Sequence, residues 1–264
     1  MFSTINVSRL QEGLRTKRFG KSIFFAREVG STNEWAKQLA KLGAEEGTVT
    51  IAETQTAGRG RLNREWFSPH GGLWFSVVMR PQHSVAEAVK LVFVAGLAVA
   101  ETLHGMYGLR VETKWPNDVL VGGKKVCGIL TEMNAIGKTV NFAIAGIGVN
   151  ANFSVKVFPE PLHETATSLV NELGRKVRLE ELFKVLLEHL EMKYDLFIEG
   201  DSNRVLGEWK KYAHFIGHKV GVTSWNETFN GLALDIDHDG ALILKLQDGE
   251  IKRVLVGDVT LKAY

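Results

Sequence analysis

The C-terminal part of the chain has a pattern that few folds accommodate. From Lys219 onward, KVGVTSWNETFNGLALDIDHDGALILKLQDGEIKRVLVGDVTLKAY contains four or five short segments of alternating apolar and polar residues. One Asn-Gly and two Asp-Gly pairs separate them, and such pairs are typical of tight hairpin turns. The pattern predicts a small antiparallel barrel, which we place at residues 213–264, after a larger domain at residues 1–212.

The larger domain mixes strands and helices without a regular alternation. The predicted strands are 21–28, 48–53, 73–80 and 139–152. The predicted helices are 31–43, 85–106, 164–174 and 179–199. Ser31 and Glu34 have the spacing of a capping box at the start of the first helix. This order favours an α+β fold with a mixed or antiparallel sheet over a doubly wound sheet.

Composition narrows the class of protein. Apolar residues make up 45% and charged residues 23% of the 264 residues, as is usual for globular proteins. The net charge is only +2, so the overall charge of the protein does not favour binding to nucleic acid or to a membrane surface. The single cysteine, Cys127, excludes an internal disulfide framework and fits a reducing compartment. No apolar segment is long enough to span a bilayer, so we expect a cytoplasmic protein without a membrane partner.

Three motifs point to functions that their context does not support. DIDHDG at 235–240 begins like a calcium loop, but the twelfth position is Leu246 instead of a glutamate, which favours a hairpin turn. GIGVNA at 146–151 resembles a dinucleotide fingerprint, but no helical pattern follows it. His214 and His218 have helical spacing without an evident third ligand, so no metal site is predicted.

The stretch QTAGRGRLNREWFSP, residues 55–69, sets three arginines on a loose backbone. Arg59, Arg61 and Arg64 carry planar donors that suit carboxylate and phosphate groups. The interleaved glycines let the backbone approach a ligand closely. A solvated basic loop remains the alternative on composition alone.

A second segment, KWPNDVLVGGKKVCGILTE, favours a ligand. It places Lys114, Asn117, Asp118 and Lys125 around a proline bend and a glycine turn. Packing explains this set poorly, because lysine and aspartate are rarely buried unless they are paired. Two cationic segments in one domain suggest a substrate that is anionic at two places.

These segments resemble the biotin protein ligases. GRGRLNREW, KWPND, KKVCGIL and GIGVNAN occur in the order and spacing of that family, together with STN at 31–33 and a C-terminal barrel. The resemblance covers nearly the whole chain. The four stretches are specific when they are taken together, although each alone would be weak evidence. Asn63 stands where the family usually has glycine, and asparagine tolerates left-handed geometry. Cys127 replaces a frequent alanine, which we interpret as packing.

The resemblance implies a catalytic domain similar to that of class II aminoacyl-tRNA synthetases, followed by an SH3-like domain. It implies that biotin and ATP, with Mg²⁺, give biotinyl-5′-adenylate and pyrophosphate, and that a lysine of a biotin carboxyl carrier protein then accepts the biotin. Family members that repress transcription carry an N-terminal winged helix. Only a short segment precedes the first strand here, so we expect a ligase that is not a repressor and does not bind DNA. A homodimer through the sheet is also expected.

The resemblance also assigns roles to residues. The positions matching the biotin-binding residues are Ser31, Thr32, Asn33, Gln55, Arg59, Gly60, Arg61 and Lys125. Those matching the ATP and adenylate side are Arg61, Arg64, Trp66, Lys114, Asn117 and Asn150. The predicted catalytic residues are Arg61, Lys125, Lys114 and Asp118. Asp118 is expected to orient the incoming amine or to accept its proton. For Asn150 the alternative to ligand binding is a purely structural role.

Two rival functions stay open at this point. A lipoate ligase would share the fold and the adenylation chemistry, but its different arginine-glycine signature is missing from the sequence. A nucleic-acid binder would use the arginines on phosphates. The near-neutral net charge argues against this second rival.

Overall fold

The larger sheet of the protein has seven strands, of which one edge pair is parallel. The computed structural model describes residues 6–224 and 227–261. The strands are β1 Ile23–Val29, β2 Val49–Gln55, β3 Leu73–Met79, β4 Val111–Lys114, β5 Asp118–Val121, β6 Lys124–Ile136 and β7 Thr139–Val149. Their order is β1-β2-β3-β7-β6-β5-β4, with β1 and β2 parallel and the other neighbours antiparallel. The predicted α+β class with a mixed sheet is confirmed.

Helices cover both faces of this sheet. They are α1 Val7–Gln11, α2 Thr32–Lys41, α3 Val85–Ala88, α4 Leu91–Tyr107, α5 Leu169–Leu173, α6 Leu179–Ile198 and α7 Ser202–Lys210. The helices α4, α6 and α7 pack together on one face, where α4 is buried along most of its length. Gly96 permits this packing, because a Cβ there would lie 2.8 Å from Nε1 of Trp209 in α7.

The alternation of β3 separates the two faces. All seven residues of β3 are buried. Phe75 and Val77 belong to the main core beneath α4 and α6, whereas Val78 packs with Ala36 of α2 in a separate apolar cluster. Since successive strand residues point to opposite faces, Trp74 and Ser76 lie on the α2 side. We call this side the site face.

A second, antiparallel sheet forms the C-terminal part. Its strands are β8 Lys219–Ser224, β9 Glu227–Ile236, β10 Leu242–Leu246, β11 Ile251–Val254 and β12 Asp258–Leu261, in the order β11-β10-β9-β8-β12. Its core residues belong to the same cluster as the main core, and Trp115 Nε1 donates to the Gly240 carbonyl at 3.0 Å. The domain boundary after residue 212 stays a prediction.

One of the predicted hairpin turns in this sheet is wrong. Asn230 and Gly231 lie inside β9, where a Cβ on Gly231 would be 2.4 Å from the Lys245 carbonyl oxygen. That glycine therefore permits a close cross-strand approach rather than a turn. The two Asp-Gly turns are confirmed between β9, β10 and β11, including the one that resembled a calcium loop. The connection at residues 225–226 lies outside the described residues.

Two predicted helices are shorter than expected. The segment 85–106 divides into α3 and α4 near Lys90, whose buried ammonium contacts Glu87 and Ser202. Of the predicted helix 164–174 only α5 is α-helical. The preceding residues instead pair with the start of β6, with Lys125 N–H donating to the Thr165 carbonyl and Thr167 N–H donating to the Lys125 carbonyl.

Candidate active site

A cavity of about 680 Å³ opens on the site face. It lies between the larger sheet, the stretch at 58–66, the segment 158–166 and the edge of the C-terminal sheet. All residues that the sequence assigned to the site line it: Ser31, Thr32, Asn33, Gln55, Arg59, Gly60, Arg61, Arg64, Trp66, Lys114, Asn117, Asp118, Lys125 and Asn150. The two cationic segments therefore meet in one place, and their individual roles stay predictions.

Two lysines share one carboxylate at the β4–β5–β6 side of the cavity. Lys125 Nζ lies 2.6 Å from Asp118 Oδ1, and Lys114 Nζ lies 3.5 Å from Asp118 Oδ2. The strand register brings them together, because Lys114 is paired directly with Asp118 and Lys125 with Leu120 on the adjoining strands. Two ammonium groups facing one carboxylate leave a net positive charge for an anionic ligand.

The basic stretch folds back on itself as a hairpin, which we call the arginine loop, residues 58–66. Arg59 pairs with Glu65, and Gly60 N–H donates to the Arg64 carbonyl at 2.7 Å. At the tip, Leu62 and Asn63 have φ values of 55° and 57°. The prediction that Asn63 tolerates left-handed geometry is confirmed.

Arg61 turns inward from this hairpin. Its Nη1 lies 3.1 Å from the Gly257 carbonyl oxygen, 3.3 Å from Asp258 Oδ1 and 3.4 Å from Asn117 Oδ1. Burial lowers the pKa of the Arg61 guanidinium, and the nearby carboxylates of Asp258 and Asp118 oppose that shift. Arg59 is exposed, so it takes part in the loop through its backbone pairing.

The indole ring of Trp66 packs against two glycines of the larger sheet. Gly128 of β6 pairs with Gly148 of β7. A Cβ at Gly128 would be 2.8 Å from Trp66 Cζ3, and one at Gly148 would be 2.7 Å from Trp66 Nε1. Lys125 Nζ lies 5.0 Å from the centre of the indole ring, in cation–π geometry. Gly148 of the GIGVNA motif thus makes room for a side chain, and in the described part of the chain no α-helix begins between this motif and Leu169.

The end of the cavity under α2 is polar and hydrogen-bonded. Gln55 Oε1 accepts from Thr32 N–H at 2.7 Å, and Gln55 Nε2 donates to Ser68 Oγ at 2.7 Å. Ser76 Oγ lies 2.8 Å from Thr32 Oγ1 and 2.7 Å from Asn33 Oδ1. These five residues form what we call the amide–hydroxyl network.

Asn33 extends this network towards β6. Its Nδ2 donates to Glu132 Oε2 at 2.9 Å. Gly146 leaves room for the amide, because a Cβ there would lie 1.9 Å from Asn33 Oδ1. With both ends of its amide engaged, Asn33 orients its neighbours more than it presents free donors.

The predicted capping box does not form. Ser31 occupies the N-cap position of α2, but its hydroxyl makes no capping hydrogen bond with the described residues. Gln55 from β2 accepts from the first helical N–H instead. The Ser31 side chain is therefore available to the cavity that it lines.

Asn150 follows β7 and is 1% exposed. Its Nδ2 donates to the carbonyl oxygens of Thr167, at 2.9 Å, and Lys125, at 3.3 Å. Its Oδ1 has no hydrogen-bond partner among the residues that the structure describes. Asn150 thus has a structural role through its Nδ2, and its Oδ1 is an unused acceptor beside the cavity.

Sequence reasoning missed the contributions of Gly257 and Asp258, Ser76, Ser68 and Glu132. Asp258 begins β12 and contacts Arg61 and Arg64. No local motif marks any of these residues, because each acts through contacts with distant segments. The strand alternation places Ser76 on the same face as Trp74, which is the one available signal.

Cys127 is buried, in agreement with the predicted packing role. Burial raises the pKa of its thiol. His214 and His218 do not line the cavity. No helix within residues 6–224 and 227–261 combines the length and the apolar character needed to cross a bilayer.

Comparison with known proteins agrees with this geometry. The Biotin/lipoate A/B protein ligase family profile matches residues 25–150, and the profile of the Biotin protein ligase C terminal domain matches residues 215–262. The Bifunctional ligase/repressor BirA of Bacillus spizizenii is 36% identical over 258 residues, which cover 97% of this chain and 79% of that protein. The Biotin--[acetyl-CoA-carboxylase] ligase of Paracoccus denitrificans is 34% identical, covering 81% and 90%.

A solved structure matches in three dimensions. Biotin protein ligase from Aquifex aeolicus in complex with biotin and ATP superposes with a TM-score of 0.78 at 29% identity, covering 92% of this chain and all of that one. The fold and the cationic cavity define an enzyme of the ATP-dependent ligase class. Within that class, the chain belongs to the biotin protein ligase family.

Proposed function

We propose that this protein activates biotin with ATP and transfers it to a lysine of a carrier protein. In the first step a biotin carboxylate oxygen attacks the α-phosphorus of ATP, the bond to the bridging oxygen breaks, and pyrophosphate leaves. In the second step a lysine amine attacks the acyl carbon, an amide forms and AMP leaves. The observation that carries this proposal is the convergence of Lys114, Lys125 and Arg61 on one cavity with a neutral hydrogen-bonding end.

The amide–hydroxyl network suits the ureido ring of biotin. That ring is neutral and presents two N–H donors and one carbonyl acceptor. Thr32 of the network supplies a hydroxyl group, and Gln55 supplies an amide that two partners hold in place. The neighbouring Ser31, outside the network, adds a second hydroxyl group at the cavity wall. Because hydrogen bonds already orient the side chains of Thr32 and Gln55, these two residues lose little conformational entropy when the ring binds.

The lysines address the electrostatic obstacle of the first step. A carboxylate and an α-phosphate repel each other, and fixed cations offset that repulsion and stabilise charge that develops on the phosphorus oxygens. Lys125 lies at the cavity wall beside Asp118 and over the face of Trp66, and this position supports such a role. Asp118 keeps both lysines in position, and we propose that it also orients the incoming amine.

The nucleotide side of the cavity offers a ring wall and an acceptor. Trp66 presents an apolar face, and Arg64 and Asn117 line the same space. The unused Oδ1 of Asn150 can accept from the exocyclic amine of adenine, which is a donor. Losing this acceptor would weaken adenine binding more than binding of a base with a carbonyl at that position.

Two carboxylates of the cavity, those of Asp118 and Asp258, are already paired with cationic side chains and do not fit a resident metal ion. Asp118 is matched by two lysines and Asp258 by two arginines. Residues 6–224 and 227–261 contain no group of three His, Cys, Asp or Glu side chains that could hold a metal. We therefore treat Mg²⁺ as entering with ATP, as part of the substrate.

The arginine loop would enclose the reactive intermediate. The mixed anhydride reacts with water and with stray amines, so it must be sequestered until the carrier arrives. The hairpin lies across the cavity, and Arg61 reaches from it to Asn117. We propose that this loop opens for substrates and closes over the adenylate.

Mass spectrometry of a biotin carboxyl carrier domain tests the proposal. After incubation with enzyme, biotin, ATP and magnesium, one carrier lysine should gain one biotinyl group, with AMP and pyrophosphate as the other products. The same assay with lipoate in place of biotin distinguishes a biotin ligase from a lipoate ligase. Preferential lipoylation, or nucleotide consumption without modification of the carrier, would contradict the assignment.

Three further expectations stay predictions. A relative is named a ligase/repressor, so the absence of a repressor role needs its own assay, the binding of adenylate-loaded protein to promoter DNA. The homodimer is checked by sedimentation with and without biotin and ATP. A cytoplasmic location is checked by cell fractionation.

A further inference from the structure

The C-terminal sheet contacts the arginine loop through one acidic residue. Asp258 is the first residue of β12. Its Oδ1 lies 3.3 Å from Arg61 Nη1, and its Oδ2 lies 2.5 Å from Arg64 Nη1. The preceding carbonyl, of Gly257, accepts from the same Arg61 nitrogen at 3.1 Å. Asp258 thus contacts two arginines of a loop that is distant in sequence, and the residue before it contacts one of them.

The position of Asp258 is fixed by the C-terminal sheet itself. Asp258 pairs with Thr223 across β12 and β8. Gly257 fits closely against β8, because a Cβ there would lie 2.9 Å from the Thr223 carbonyl oxygen. The carboxylate therefore projects from a strand that is hydrogen-bonded to its neighbour in the sheet.

The arginine side of the contact depends on a counterion. The Arg61 side chain is 21% exposed, and it extends between Asp258 and Asn117. A partly buried guanidinium without a carboxylate partner would be costly. Arg64 is 61% exposed, so its pair with Asp258 contributes less on its own.

We propose that Asp258 is the latch of the arginine loop, a positioning residue through which the C-terminal sheet holds the loop closed over the cavity. This inference rests on the proposed function for its effect on the adenylate. Removing the charge of Asp258 would loosen Arg61 and Arg64 together, so the loop would open more often and the adenylate would dissociate sooner. Losing a charge-assisted contact of this kind predicts an acceleration of about tenfold.

Asp258→Asn tests the latch, with Asp248→Asn as the matched control. Asp248 lies in a turn of the same sheet and does not line the cavity. Limited trypsin digestion of the ligand-free protein, read by mass spectrometry, reports opening at Arg59, Arg61 and Arg64. We expect cleavage there to be about tenfold faster in Asp258→Asn and unchanged in the control. Asp258→Glu should restore much of the protection.

The second readout is the dissociation rate of biotinyl-adenylate from the same variants. We expect about tenfold faster release from Asp258→Asn, with thermal unfolding close to that of the unaltered protein. Wild-type cleavage and release rates in Asp258→Asn would overturn the latch. If the unaltered protein makes no adenylate, the proposed function fails, while the digestion experiment still decides the latch.

Discussion

Replacing Gly148 by alanine should displace Trp66 from the sheet and impair nucleotide binding while the fold survives. Gly148 lies in β7 and pairs with Gly128. Its φ is not positive, so alanine is compatible with the backbone. Alanine in place of a strand glycine should itself stabilise the chain by about 0.5–1 kcal/mol. The added methyl group, however, points at the indole of Trp66.

The size of the displacement follows from the contact distances. The new Cβ would lie 2.7 Å from Trp66 Nε1, 2.9 Å from Cε2 and 3.1 Å from Cζ2. Non-bonded heavy atoms are at rest at about 3.5 Å, so the ring must move by roughly 0.8 Å. A shift away from the sheet relieves the contact and carries the ring into the cavity that it lines. A misplacement of about 1 Å near a reacting centre can cost about 100-fold, so we expect kcat/KM for ATP to fall by ~10- to 100-fold.

The assay is pyrophosphate release as a function of ATP and biotin concentration. Gly207→Ala in α7 is the matched control, since a Cβ there meets none of the described atoms within 4 Å. In a Trp66→Ala background, Gly148→Ala should have no further effect, because the clash is gone. Unchanged kinetics in the single variant, together with normal thermal unfolding, would refute the packing argument.

The remaining predictions concern Lys125, Arg61 and Cys127. Lys125→Ala should lower adenylate formation at least 100-fold, on the scale of one lost transition-state charge contact, whereas Lys124→Ala should leave it nearly unchanged; equal pyrophosphate rates in the two variants would remove Lys125 from the site. Arg61→Gly should keep part of adenylate synthesis but release the intermediate, so that bystander proteins become biotinylated. Strict carrier specificity with normal turnover would count against closure of the arginine loop over the adenylate. Burial raises the pKa of Cys127, so iodoacetamide at pH 8 should alkylate it only after denaturation, because the thiolate is the nucleophile; intact-mass analysis showing alkylation of the native protein would contradict its burial.

The candidate site was predictable where its parts are local. Lys114 and Asp118 flank a proline bend, and a glycine turn precedes Lys125, so short hairpins between neighbouring strands bring the three together. The arginine loop is continuous in sequence and needs only its own hairpin. The family resemblance added the roles, which spacing alone does not reveal.

Features formed by distant contacts were not predictable. Gln55 replaces Ser31 as the side chain that meets the first N–H of α2, and nothing in the helix sequence signals a partner on β2. The break between α3 and α4 depends on where the Lys90 ammonium finds Glu87 and Ser202. Asp258 reaches Arg61 across nearly two hundred residues of sequence.

One glycine pattern was misread for a physical reason. Asn230 and Gly231 have the composition of a tight turn, yet they continue β9. Glycine is selected both where φ is positive and where two backbones approach closely. The sequence does not distinguish these causes, whereas the neighbouring Lys245 carbonyl in the folded sheet does.

The central claim is that the lysines and Arg61 converge so that two anionic groups can be joined as an acyl phosphate. Purified protein should be mixed with biotin and Mg-ATP without any carrier, and the small molecules that remain bound after desalting should be identified by mass spectrometry. The account predicts biotinyl-adenylate bound to the unaltered protein and its near absence with Lys125→Ala. Bound biotin and intact ATP without adenylate, or equal adenylate in both proteins, would contradict it.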